Sequence, residues 1–62
     1  MADVEIRLHG RTLERFVSDV DPDDEPECVA LLRRRARELR RPVEGLTLRT
    51  TAKRKPWREY HA

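Results

Sequence analysis

Val4, Ile6 and Leu8 alternate with Asp3, Glu5, Arg7 and His9. A period of two is the signature of a half-buried strand and predicts one over residues 3–9, ended by Gly10. The spacing then changes. Leu13, Phe16, Val17 and Val20 share an arc of about 100° on a helical wheel, with Glu14, Arg15, Ser18 and Asp19 outside it. This predicts a short amphipathic helix over residues 11–20, capped near Gly10 to Thr12. Asp21 to Glu25, with Pro22 inside it, reads as a turn.

The longest periodic stretch is Glu27 to Arg41, and it predicts a helix over residues 26–41. Cys28, Val29, Leu32, Ala36 and Leu39 fall on one arc of about 100°. Arg33, Arg37 and Arg40 gather on the far side, with Arg34 and Arg41 flanking them. Leu31 falls off the apolar arc, beyond Arg35, which marks it for contact with something outside the chain's own core. Pro26 suits the first helical position, Asp24 or Glu25 the cap, and the nearby acids the positive end of the helix dipole. Glu38 lies within one turn of Arg34 and Arg41, so weak ion pairs are expected there. Pro42 stops the helix.

Leu46 to Thr51 is alternating and β-branched, predicting a second strand over residues 45–51. The remainder has no clean period. It reads as a basic tail over 53–62 that docks through Trp57 and Tyr60, beyond a compact domain over 1–52. The expected fold is a small α+β domain of β-α-α-β order, two antiparallel strands packed on a helical hairpin. Two strands make a weak sheet, and pairing edge strands in a homodimer would give four.

Composition strengthens the case for a second copy. The chain has 62 residues, 42% of them charged, with one Phe, one Trp and one Tyr. A domain this small is marginal, and only about fifteen positions suit a core. The single Cys28 excludes an internal disulfide and fits a reducing cytoplasm. No apolar run approaches the ~18 residues of a membrane span, and the N-terminus lacks a signal-peptide core. The expectation is a soluble, cytoplasmic protein.

Charge is divided along the chain. Residues 1–27 hold three arginines against nine acids, and residues 28–62 hold eleven basic residues against three acids. The basic half carries the one functional signal. Arg33, Arg34, Arg37, Arg40 and Arg41 would form a solvent-facing surface on the long helix. Arg49, Lys53, Arg54, Lys55 and Arg58 would continue it, with Trp57 and Tyr60 interleaved. Such side chains neutralise phosphates and release counterions, and aromatics stack on bases. The pI of about 9.2 agrees.

Other candidates read more plainly. An EF-hand loop starting at Asp19 would need Gly in place of Asp24 and Glu in place of Ala30, so the acidic turn is a solvated helix start. Cys28 belongs to the apolar arc and reads as a buried structural thiol. His9 and His61 lack metal-ligand spacing, Ser18 lacks a placed base, and Gly10 and Gly45 form no phosphate cradle. No enzyme, metal or cofactor is expected.

A strand followed by two helices loosely resembles ribbon-helix-helix DNA-binding dimers over residues 3–40. There the outward strand residues, here Glu5, Arg7 and His9, read the major groove. Glu5 and the acids of the turn depart from what that role suits, and the second strand lies outside the resemblance. The leading expectation is a small basic nucleic-acid-binding regulator, acting as a homodimer through its C-terminal half. The alternative is a protein-binding adaptor or inhibitor. It would dock on a larger partner through Leu31 with an edge strand, or through Trp57 with Tyr60.

Overall fold

The alternation at the N-terminus forms a strand, β1 (Ala2–Leu8). The next segment is not the expected helix. His9 and Gly10 both take positive φ, 49° and 81°. Two such residues in succession make the tight turn that fits the natural twist of a hairpin. The chain doubles back as β2 (Arg11–Ser18), with Leu8 opposite Arg11 and Ala2 opposite Ser18. The apparent helical spacing has a local cause. Ile6 faces Glu14 and Arg7 faces Thr12, so Leu13 is the extra residue of a β-bulge. The bulge shifts the alternation, and Leu13 and Phe16 both pack on the core while Val17 lies exposed on the opposite face. With that second helix gone, the resemblance to ribbon-helix-helix dimers ends at the first strand.

The computed structural model describes all residues, 1–62. After β2 come a helix, α1 (Glu25–Glu38), then β3 (Leu46–Ala52) and β4 (Arg58–Tyr60). The strands form one antiparallel sheet of order β2-β1-β3-β4. The expected β-α-α-β helical hairpin is therefore replaced by a four-stranded sheet covered on one face by one helix. Strand β4 comes from the stretch expected as a tail. Tyr60 lies opposite Leu48 in the sheet, and its hydroxyl donates to the Pro22 carbonyl at 2.7 Å. The four strands expected from pairing two copies are supplied here by one chain.

Asp24 caps α1 by accepting from the Glu27 N–H at 3.1 Å, and Pro26 sits in the first turn. The helix ends at Glu38 rather than Arg41. There the Arg40 N–H donates to the Arg37 carbonyl at 3.1 Å and the Arg41 N–H to the Ala36 carbonyl at 3.0 Å. This crossed pair is a Schellman termination, which needs a left-handed residue, and Arg40 supplies it with φ 55°.

The core joins Ala2, Val4 and Ile6 of β1 and Leu46 and Leu48 of β3 to Val20 and to Cys28, Leu31, Leu32 and Ala36 around α1. Leu31 is only 5% exposed, against the expectation that it faces outward. A sheet is broad and flat, so it covers an arc of about 140° on the helix, from Leu31 to Ala36, wider than the sequence arc assumed. Thr50, fully buried, donates its hydroxyl to the Asp3 carbonyl at 2.9 Å, which satisfies the polar group inside the core.

Left-handed backbone costs a non-glycine residue about 1–2 kcal/mol, part of which glycine returns as unfolded-state entropy. Arg40→Gly should therefore stabilise the fold by about 0.5–1 kcal/mol, and a thermal melt should show Tm rising by several degrees. An unchanged or lower Tm would show that Arg40 makes a compensating contact.

Candidate nucleic-acid interface

Burial of Cys28, Leu31, Leu32 and Ala36 fixes the rotation of α1. That rotation turns Arg33, Arg34 and Arg37 away from the sheet, and the Schellman turn carries Arg40 and Arg41 past the helix end. All five are exposed, and none is paired with a carboxylate. Three are within two helical turns and two follow directly, so five guanidinium groups crowd one end of the helix.

Arg35 is different. It falls inside the buried arc between Leu31 and Cys28. Its guanidinium reaches over the Phe16 ring, 5.5 Å from the centroid, and donates to both Glu14 oxygens at 2.7 Å. Glu38 adds a contact at 3.1 Å, so Glu38 pairs with Arg35 and not with Arg34 or Arg41. The hydrogen bonds to Glu14 raise the Arg35 pKa further above its ordinary value. A bidentate, partly buried pair of this kind ties the helix to β2.

The other basic residues do not join the helix cluster. Lys55 Nζ contacts Asp23 Oδ2 at 2.8 Å and Asp21 Oδ1 at 3.3 Å, and Arg58 Nε contacts Asp23 Oδ1 at 3.3 Å. These pairs clamp the start of β4 to the acidic turn. The Asp23 backbone N–H and the Lys55 ammonium hold the Asp21 carboxyl below its usual range, and Asp23 and Asp21 raise Lys55. Lys53 and Arg54 are exposed in the connection after β3, at the sheet end where Ala52 pairs with Ala2. The helix C-terminus leads into Leu46, which pairs with Leu8 at the other end. The basic half is therefore split between two ends of the molecule.

Arg49 and Trp57 belong to a third place, the sheet face that α1 leaves open. The side chain of Glu5, 10% exposed, sits between Arg15 Nε at 3.3 Å and Arg49 Nη1 at 3.6 Å. Arg49 in turn lies 4.8 Å from the centroid of the Trp57 ring, a cation–π stack. A groove of about 440 Å³ runs between Trp57 and Val17, floored by Asp3 and Glu5. Trp57 is 45% exposed and Val17 55%. Neither Glu5 with its two arginines nor Glu14 with Arg35 is visible as a pair in the sequence. The His9–Gly10 turn is the signal that could have placed Glu5 across from Arg15.

The remaining candidates are occupied within the fold. Leu31 is core, and the Tyr60 hydroxyl is held by Pro22. Asp21 and Asp23 are engaged by Lys55 and Arg58. Thr47 Oγ1 and His61 Nδ1 lie 3.3 Å apart, and His9 sits in the hairpin turn beside Gly45. Cys28 is fully buried and donates its thiol to the Asp21 carbonyl at 3.4 Å. Burial, followed by the charges of Glu27, Asp24, Asp21 and Asp23, pushes its pKa up to about 11. The thiolate that a helix N-terminus would favour is thus suppressed.

Cys28 should resist alkylation by iodoacetamide in the folded protein at pH 8 and react at the normal thiol rate in denaturant. Equal rates in both conditions would contradict its burial.

The chain matches no protein-family model, no curated protein and no solved structure.

Proposed function

We propose that this protein binds nucleic acid by holding the phosphate backbone with Arg33, Arg34, Arg37, Arg40 and Arg41. One observation carries the reading: these five exposed arginines share one end of α1, and no carboxylate neutralises them. Elsewhere in the molecule Arg15, Arg35, Arg49, Lys55 and Arg58 each contact an acid, and the other basic residues without a carboxylate, Arg7, Arg11, Lys53 and Arg54, lie on β1, at the hairpin and after β3, not grouped five together. Unpaired guanidinium groups present planar, always-charged forks that match phosphate oxygens. The rigid attachment of α1, through its buried face and the Glu14–Arg35 pair, gives them a fixed spacing. Arg40 adds support of a different kind. It occupies a left-handed position where glycine costs least, so its side chain is kept at an expense in stability.

The reading is narrower than the sequence suggested. Lys55 and Arg58 offset the acidic turn, and Arg49 serves Glu5, so these three are not assigned to phosphate. The rival reading, docking on a protein partner, has lost two of its contacts, because Leu31 and Tyr60 are used internally.

The test is a titration into labelled duplex and single-stranded DNA and RNA at two salt concentrations. Five phosphate contacts should weaken duplex binding roughly 500-fold between about 50 and 200 mM salt, from a log–log slope of about −4.5. Replacing Arg33, Arg34 and Arg37 by Gln should reduce that slope by about three, and Lys55→Gln should leave it unchanged. Arg40→Gly should lower it by about one while raising Tm. No binding at the lower salt would overturn the proposal.

A further inference from the structure

We infer that the groove on the open sheet face takes one unstacked nucleobase of a single strand, stacked on Trp57. This site lies on the face opposite α1 and stands or falls without the helix arginines.

The geometry sets the shape of the occupant. The groove lies over β1, with Val17 of β2 on one side and Trp57, stacked on Arg49 of β3, on the other. The backbones of β2 and β3 are about 10 Å apart, being two strand spacings. Trp57 offers a ring face on one side of this depression, and every base has a π-face that can stack on such a ring. The volume of about 440 Å³ accepts one base with its sugar and is too small for a paired helix. A base inside a duplex cannot enter it, so the occupant must be unstacked.

Charge sets the orientation. Of the two carboxylates in the floor, Glu5 is already held by Arg15 and Arg49, whereas Asp3 is exposed, has no ion-pair partner, and is left to accept hydrogen bonds and repel phosphate. Arg15 contacts Glu5 through Nε alone and its side chain is 73% exposed at the rim, so its outer guanidinium nitrogens are left to meet a phosphate. The base therefore points inward with an amino group toward Asp3, and the phosphate stays outside beside Arg15. Cytosine, which presents its N4 amino group as a donor, fits this floor better than thymine, which has no exocyclic amine.

Trp57 is the only tryptophan, so its fluorescence reports on the groove directly. Oligo-dC of eight nucleotides should quench it at low salt, and oligo-dT should quench it less. Trp57→Ala should weaken oligo-dC binding about 5- to 150-fold while leaving duplex binding unchanged, as expected for one stacked base. Val17→Glu, which alters an exposed position and adds a repelling charge, should weaken it as well. Each variant's melting curve checks that it folds. The variant with Arg33, Arg34 and Arg37 replaced by Gln should still show the quench with deoxycytidine monophosphate, which separates this site from the phosphate grip. Absence of quenching by any of these probes would overturn the inference. So would quenching by an arginine-rich peptide but not by oligo-dC, which would assign the groove to a basic protein segment.

Discussion

With φ of 49° and 81°, His9 and Gly10 reverse the chain in two residues, and most of the remaining architecture depends on that reversal. The turn lays β2 against β1 in a fixed register. The register brings Arg15 opposite Glu5 and, through the bulge at Leu13, brings Glu14 opposite Ile6 on the face that α1 covers. From there Glu14 can receive Arg35, which anchors the helix. The rotation of the helix then decides which arginines reach solvent. A helix over residues 11–20 would have taken Glu14 from its place opposite Ile6 and Arg15 from its place opposite Glu5.

Two groups of charges dominate the electrostatics, apart from the scattered unpaired Arg7, Arg11, Lys53 and Arg54. Glu5, Glu14, Asp21 and Asp23 each hold one or two basic partners, and these pairs tie β1 to β2 and β3, α1 to β2, and β4 to the acidic turn. Surface pairs contribute little singly, whereas the bidentate Glu14–Arg35 pair is well oriented and partly buried. The second population, on the outer face and C-terminal end of α1, has no counter-charge. A net charge of +2 conceals this, because the pairing is spatial and the sum is not. The separation also explains why the basic C-terminal half does not act as one surface. Lys55 and Arg58 fold back onto the acidic turn, and Arg49 turns to the opposite face of the sheet.

Three non-glycine residues have positive φ: His9, Arg40 and Arg54. Each stands in a turn, and each carries a basic or titratable side chain where glycine would be less strained. In a domain with ten buried apolar residues, strain of this size is a sizeable fraction of the stability available. The fold tolerates it because strand pairing precedes His9 and Arg54 and the helix-terminating hydrogen bonds hold Arg40 and Arg41. Arg40 gains its place in the arginine cluster this way.

The first strand, the long helix with its Asp24 cap and the strand ending near Thr51 were legible in the sequence, because each is governed by neighbours close along the chain. The burial of Cys28 was legible for the same reason. Strand β2 was not, because a bulge breaks the alternation and imitates a helical spacing. The width of the buried arc was not legible either. It depends on the helix meeting a sheet, which buries Leu31 and brings Arg35 onto Glu14. Strand β4 carries three residues and no period of its own, and forms because β3 offers an unpaired edge beside the Tyr60–Pro22 contact. The sequence by itself determined where charge is abundant and which segments are periodic. Only the tertiary structure decided which arginines are neutralised and which face solvent, because ion pairs join residues as far apart as Glu5 and Arg49 and have no sequence period.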